Sequence, residues 1–239
     1  MSLLFIHEDR EYLLSPGETL ETDLGVLEVP EDVVSGDTVE THLGTEFTAR
    51  KLRGPDLFHH LERTGAPMMP RDVGLILGHT GIESGDRVLD AGTGSGVLAA
   101  ALGRVDTQVV SYEIDEEFAD VARENMRLAG VDSVEVRTGD VTDHLADLSG
   151  FDVVTLDTED APAVVAETPD LLVRGGFVAV YSPFVEHTRK VVEAAREAGL
   201  EDIRTLETIQ RHMDFDDRGS RPSTAGVGHT GYLTFARRP

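Results

Sequence analysis

From residue 70 onward, short apolar runs alternate with segments whose apolar residues recur every three to four positions. That alternation leaves few folds open. RDVGLILGHTG has helical spacing and stops at Gly81. Arg87–Asp90 reads as a strand, Ser95–Arg104 as a helix and Gln108–Ile114 as a second strand. Asp115 is placed to cap a helix that runs through Ala129 and ends on Gly130. SVEVRT and Phe151–Asp157 are strands, Ala161–Val173 a helix and GGFVAVYSP a buried strand. Glu186–Ala198 is an amphipathic helix ending at Gly199, and EDIRTLETIQ and HTGYLTFARR are the last two strands. Strand–helix repeats need crossover connections, so the expected fold is α/β, with a mostly parallel seven-stranded sheet wrapped by helices and an antiparallel strand late in the chain.

The first fifty residues obey a different rule. EYLLS, GVLEVP and DTVETHLGTEFTARKL are short, alternating and broken by Gly and Pro, as in a small all-β module. Gly54-Pro55-Asp56 marks the expected boundary, giving residues 1–54 and 55–239 as two domains. LFHHLER opens the second as a short helix.

The chemistry gathers at the ends of the expected strands. Asp90-Ala91-Gly92-Thr93-Gly94-Ser95-Gly96 lies between a strand and a helix, where open α/β sheets bind ligands. Its glycines permit close backbone approach, and Ser95, Gly96, Val97 and Leu98 open the helix with free N–H groups. The spacing is G-x-G-x-G, and Val97 stands where a dinucleotide fingerprint needs its third glycine. Glu113 closes the next strand, where a carboxylate can accept both hydroxyls of a ribose. Asp140, after Gly139, follows the third strand, where it can accept from an adenine amino group. Three carboxylates would repel a pyrophosphate. They suit a ligand made of an ammonium, a ribose and an adenine, and S-adenosylmethionine has those parts without a phosphate. Asp157 ends the fourth strand, beside the expected site of methyl transfer; Asp160 is the better placed N-cap for the helix that follows.

Charge sets a second constraint. Asp and Glu number 45 against 21 Lys and Arg, a formal net charge of −24, and Lys51 and Lys190 are the only lysines. A carboxylate-rich, lysine-poor surface suits a very salty cytoplasm, where screening suppresses self-repulsion. The same charge argues against nucleic-acid partners unless arginines cluster locally. Arg50, Lys51, Arg53, Arg211, Arg218, Arg221, Arg237 and Arg238 are the candidates for such clusters. With no cysteine there is no disulfide framework, thiolate nucleophile or Cys-based zinc site, and no metal ligands are assigned. No run of eighteen apolar residues occurs, and the N-terminus becomes charged too soon for a secretory segment, so the expected compartment is the cytoplasm, with no membrane partner.

Nearly the whole chain resembles the tRNA adenine N1-methyltransferases that act on the T-loop, chiefly at position 58. The resemblance is carried by RTGAPMMPRDVGLIL, VLDAGTGSGVLAAAL, VVSYEIDEEFADVA, FDVVTLD, GGFVAVYSPFVEHT and RPSTAGVGHTGYLTFARR. Tyr181-Ser182-Pro183 and Gly228-His229-Thr230-Gly231-Tyr232 are its most specific parts, because methyltransferases in general share only the Gly-rich turn. It implies a class I Rossmann-like methyltransferase domain behind a small β-domain, S-adenosylmethionine as cofactor, tRNA as substrate and a homotetramer. It puts the catalytic aspartate on Asp157 and the ribose-binding acid on Glu113. The archaeal branch is the most similar, and some of its members also methylate adenine 57. Two stretches depart from the family pattern. Thr158-Glu159-Asp160-Ala161-Pro162 replaces Leu-Pro-x-Pro after the aspartate, and Met68-Met69-Pro70 lacks the usual aromatic or His, a surface on which an extruded base could stack. A protein or small-molecule methyltransferase would keep the same cofactor pattern. A non-catalytic tRNA-binding paralogue would lose the Gly-rich turn, and the spacing disfavours a nicotinamide oxidoreductase.

Overall fold

The computed structural model describes residues 1–226, 228 and 231–239. The strands β1 (Leu3–His7), β2 (Arg10–Leu14), β3 (Thr19–Thr22), β4 (Gly25–Glu28), β5 (Thr38–Glu40) and β6 (Glu46–Lys51) come first. Helices α1 (Gly54–His60) and α2 (Pro70–Thr80) follow. Then come β7 (Arg87–Ala91), α3 (Val97–Gly103), β8 (Gln108–Glu113), α4 (Glu116–Ala129), β9 (Val134–Thr138) and a 3-10 turn, Val141–Asp147. The chain ends with β10 (Phe151–Leu156), α5 (Ala161–Leu171), β11 (Leu172–Ser182), α6 (Val185–Glu197), β12 (Glu201–Glu207), β13 (Met213–Asp216), β14 (Gly219–Pro222) and β15 (Tyr232–Arg237). The large sheet has the order β12-β15-β11-β10-β7-β8-β9. β15 runs antiparallel to both β11 and β12, while β7, β10 and β11 are mutually parallel, as are β8 and β9. This is the expected class I methyltransferase architecture, late antiparallel strand included.

Two compact units divide the chain. The first holds residues 1–74, 83–85 and 93–140. Its β-rich start is a four-stranded sheet, β2-β1-β6-β5, and a hairpin, β3-β4. Strand alternation turns Leu3, Phe5, Leu14, Leu27, Val39, Phe47 and Ala49 into one apolar cluster. Phe5, Leu27 and Phe47 are fully buried, and burial on that scale is worth about 1.5–3 kcal/mol per side chain. α3 is buried through Val97, Leu98, Ala99, Ala100 and Leu102, as its continuous apolar sequence requires. α4 starts where expected: the Asp115 carboxylate accepts the N–H groups of Glu117 and Phe118. It ends on Gly130 in the left-handed conformation.

The second unit holds residues 75–82, 86–92 and 141–239. Here several expected boundaries move. α5 ends at Leu171, not Val173, and β11 begins at once with Leu172. Pro169 has no N–H for the carbonyl of Val165, which accepts from the Thr168 hydroxyl at 2.7 Å, and the helix closes within a turn. The segment 213–222, for which no element is expected, forms the β13–β14 hairpin. Met213 and Phe215 alternate there with aspartates and remain exposed. α3 also starts later than expected, at Val97, because Gly96 takes a left-handed φ of 74° as its N-cap. His229 and Thr230 of the C-terminal motif lie outside the described residues.

Candidate active site

In the second unit, the site is built where β7 and β10 end side by side. The Asp157 N–H donates to the Ala91 carbonyl at 2.9 Å. The next residue on the β7 side is Gly92, with φ +82°. A Cβ on it would overlap the Asp157 carbonyl oxygen and stand 2.8 Å from the carbonyl carbon, so only glycine fits. Asp90 is buried, and its Oδ1 accepts from the Thr155 hydroxyl at 2.6 Å.

Asp157 is open to solvent on one side, but the protein around it removes enough water to matter. Desolvation, and after it the charge of Asp90, push its pKa up to about 7. Because solvent still reaches the group, screening limits what the shift does to stability, and its direction carries the weight. A pocket of about 390 Å³ opens beside it, lined by Asp157, Thr158, Glu159, Tyr181, Pro183, Phe184, His187 and Lys190. Asp160 occupies the N-cap position of α5, as expected, but its side chain makes no capping bond. Its carbonyl takes the N–H groups of Ala163 and Val164 instead.

In the first unit, the rest of the Gly-rich turn meets the end of β8. The Thr93 N–H donates to the Tyr112 carbonyl, and its hydroxyl pairs with that of Ser111 at 2.6 Å. The Gly94 N–H donates to Glu113 Oε2 at 2.8 Å, and the Asp115 N–H to Oε1 at 3.1 Å. Glu113 is buried, 7% exposed, so the two backbone donors hold a carboxylate with spare lone pairs in one orientation. Gly94 has φ +53° and nothing within 4 Å of where a Cβ would be, which leaves room for a ligand against the backbone. The Gly139 N–H donates to the Glu113 carbonyl at 2.8 Å, tying the start of the Gly139-Asp140 turn to the end of β8. Asp140 is half-buried. Val97 and Leu98 point into the core, so their contribution to a ligand would be through the backbone.

Some residues at these strand ends were not expected from sequence. Asn125 lies on the apolar stripe of α4 with Ala122, Met126 and Ala129, and it is fully buried. Its Nδ2 donates to the carbonyls of Ser95 and Glu62, and its Oδ1 accepts the Glu62 N–H. A polar residue on that stripe was the available signal. Ile114, beside Glu113, is 70% exposed, an apolar surface next to the carboxylate. His187 falls in the GGFVAVYSPFVEHT stretch, which by itself assigns it no role; it bridges Ser182 and the Glu159 carbonyl. Most of the candidate arginines are occupied within the chain. Arg50 pairs with Glu11 and Asp56, and Arg218 with Asp216. Arg211, Arg237 and Arg238 donate to the carbonyls of Ser223, Gly175 and Leu172. Among the described residues, Lys51 and Arg221 are exposed and form no ion pair.

Comparison with known proteins places the chain among methyltransferases. A family model described as the tRNA methyltransferase complex GCD14 subunit matches residues 57–219. The tRNA (adenine(57)-N(1)/adenine(58)-N(1))-methyltransferase TrmI of Methanocaldococcus jannaschii is 33% identical over 99% of this chain and 94% of its own. The tRNA (adenine(58)-N(1))-methyltransferase TrmI of Thermus thermophilus is 28% identical over 85% of this chain and 81% of its own. A SAM-dependent O-methyltransferase from Thermotoga maritima has the same fold with a TM-score of 0.81 at 26% identity, covering 99% of this chain and 92% of that one. The tRNA (m1A58) methyltransferase TrmI of Aquifex aeolicus gives 0.76 at 23% identity, a likeness of fold that covers 100% and 97%.

Proposed function

The chain belongs to the tRNA methyltransferase complex GCD14 subunit family, and from that membership we propose that it methylates N1 of adenine in the T-loop of tRNA. The acceptor is adenine 58, with adenine 57 as a second acceptor, as the name of the Methanocaldococcus relative states for that enzyme. The same fold serves O-methyltransferases, so fold alone does not choose the substrate. What carries the reading is the full-length likeness to the archaeal enzyme. It is supported by Asp157, a strand-end carboxylate with a raised pKa facing an open pocket. Mass-spectrometric mapping of N1-methyladenosine in tRNA incubated with the protein tests it. Methylation of free adenosine, or of protein, in place of tRNA would refute it.

S-adenosylmethionine supplies an electrophilic methyl group when bound. In this reading Asp90, Gly92, Gly94, Ser95, Gly96, Val97, Leu98, Glu113 and Asp140 hold it. Glu113 accepts from the ribose hydroxyls, and Asp140 from the adenine amino group. Thr93, Gly94 and Ser95 of the Gly-rich turn bond to Ser111, Glu113 and Asn125, neutral or acidic partners, which suits a sulfonium ligand better than a pyrophosphate. The target adenine leaves its stack to reach the site. Its N1 lone pair is already free, so no base is needed before attack. Asp157 accepts from the exocyclic N6, orients the ring and stabilises the positive charge that develops on it.

Removing Glu113 should be felt twice. Glu113→Ala is expected to weaken cofactor binding by about 1.5–3 kcal/mol, roughly 10- to 150-fold, measured by calorimetry. It should also lower the melting temperature, because the Gly94 and Asp115 N–H groups lose their acceptor. Glu113→Gln keeps one acceptor oxygen and should lose less of both. Parental affinity in Glu113→Ala would remove the ribose assignment.

A halophilic, cytoplasmic homotetramer is proposed with the activity. The net charge of −24 supports a requirement for salt. Between dilute buffer and molar KCl the melting temperature should rise by about 5–10 °C, the effect of about 2–3 kcal/mol on a chain of this size. A midpoint that stays flat or falls would exclude that adaptation. Exposed Ile209, Met213 and Phe215 on and before the β13–β14 hairpin support a subunit interface. Among the described residues, β1–β6 pair with one another, which supports a domain boundary near residue 54. Among the described residues no helix is long and apolar enough to cross a membrane.

A further inference from the structure

The stretch after Asp157 has to hold that carboxylate still, yet Thr158–Ala161 contains no proline to stiffen it. Its ends are secured by backbone bonds. Upstream, the Asp157 N–H is fixed on Ala91. Downstream, the Ala161 N–H donates to the Thr158 carbonyl at 3.2 Å, and the Asp160 carbonyl starts α5. Between them, among the described residues, Asp160 makes no side-chain cap, and a long 3.4 Å contact joins its N–H to the Thr158 hydroxyl. Among the described residues, an anchor that reaches the middle from another element is His187, on the first turn of α6. Its Nε2 lies 3.1 Å from the Glu159 carbonyl, and its Nδ1 3.0 Å from the hydroxyl of Ser182, a fully buried residue at the end of β11. A carbonyl can only accept, so Nε2 carries the proton and Nδ1 accepts from the Ser182 hydroxyl. One tautomer satisfies both bonds.

We propose that His187 is a positioning residue for methyl transfer: it staples the segment after Asp157 to the end of β11 and so keeps the Asp157 carboxylate aimed at the reacting base. The proposal rests on the tRNA methyltransferase reading for its reaction and on the two hydrogen bonds for its geometry. Misplacement of a catalytic group by about 1 Å can cost on the order of 10² in rate, so a loose tether at residue 159 is sufficient to matter.

The test compares the parent with His187→Ala and His187→Gln. Gln carries an amide N–H at the same distance along the side chain and can reach the same carbonyl. Single-turnover methylation of tRNA at saturating cofactor should slow about tenfold or more in His187→Ala. Cofactor affinity should stay near parental, melting temperature should fall by no more than a few degrees, and His187→Gln should recover most of the rate. Hydrogen exchange at residues 158–161 should quicken in His187→Ala and return towards parental in His187→Gln. Parental rate and parental exchange in His187→Ala would overturn the proposal, as would a rate loss that tracks a fall in melting temperature and is not rescued by Gln. A parent that leaves tRNA unmethylated would overturn the substrate reading instead, and the exchange measurement would still decide the staple.

Discussion

Asp157→Ala is expected to slow methyl transfer by about 10²–10³ while leaving cofactor affinity within a few-fold of parental. The asymmetry follows from where the group acts. In the proposed role the carboxylate meets positive charge only as the new bond forms on adenine, so its loss should be felt in the transition state more than in either ground state. Asp157→Asn separates charge from orientation. It keeps an acceptor oxygen for N6 but cannot offset ring charge, and it should be nearly as slow as Ala. Near-parental single-turnover rates in both variants would move the chemistry away from Asp157. The pH profile gives an independent check. With its pKa raised to about 7, Asp157 should be protonated, and in the proposed role inactive, in mildly acidic solution. The kcat/KM for tRNA should therefore rise tenfold per pH unit below about 7 and level off above it, whereas Asp157→Asn should be flat there. Linkage fixes the accompanying sign for stability. An acid whose pKa is raised on folding favours the fold below its unfolded value, near 4, and loses that contribution as pH climbs through about 7. The parent should thus lose a little stability over that interval relative to Asp157→Asn, with the effect kept small by solvent screening.

Gly92→Ala is expected to be the most damaging single methyl group that can be added to this turn. Its Cβ would overlap the Asp157 carbonyl, and the backbone at φ +82° disfavours any side chain. Left-handed strain of about 1–2 kcal/mol and overpacking of about 1–3 kcal/mol together imply a fall in melting temperature of about 5–15 °C. Activity should drop further than stability, because relief of the clash has to part β7 from β10 at the residues that carry Asp90 and Asp157. Gly81→Ala is the control. Gly81 also has a positive φ, +69°, but nothing lies within 4 Å of its Cβ position. If Gly92→Ala melts and turns over like Gly81→Ala, close backbone approach at the strand ends is not what glycine provides there.

Local chemistry made much of the fold legible. Asp115 and Gly130 bracket α4 through capping bonds made within a few residues, and the structure keeps both. The order of strands and helices after residue 70 came from apolar period, which is set by which faces each element buries. The same logic failed where a local cue was outweighed. Ala161–Val173 reads as one apolar helical stretch, but the missing N–H of Pro169 ends α5 two residues sooner. Met213 and Phe215 alternate as a strand should, yet a run of aspartates and an exposed setting hide the hairpin from a search for buried faces.

At the candidate site, residue identities were a matter of sequence. The Gly-rich turn, Glu113, Asp140 and Asp157 each stand at the end of a strand whose limits could be read, and the choice of a phosphate-free, cationic ligand needed only their charges. Their working states were not. That Glu113 is held by Gly94 and Asp115, that Asn125 grips Ser95 across 30 residues and that His187 reaches Glu159 across 28 are consequences of register and packing between distant segments. The pKa of Asp157 belongs to the same class, because it depends on water removed by neighbours and on Asp90 in the adjacent strand. Sequence alone determined most of the elements after residue 70 and which chemical groups stand at their ends, since both depend on neighbours a few positions away. Only the tertiary structure decided which of those groups meet, how they are aimed and what charge they carry, because distance and desolvation are properties of the packed chain.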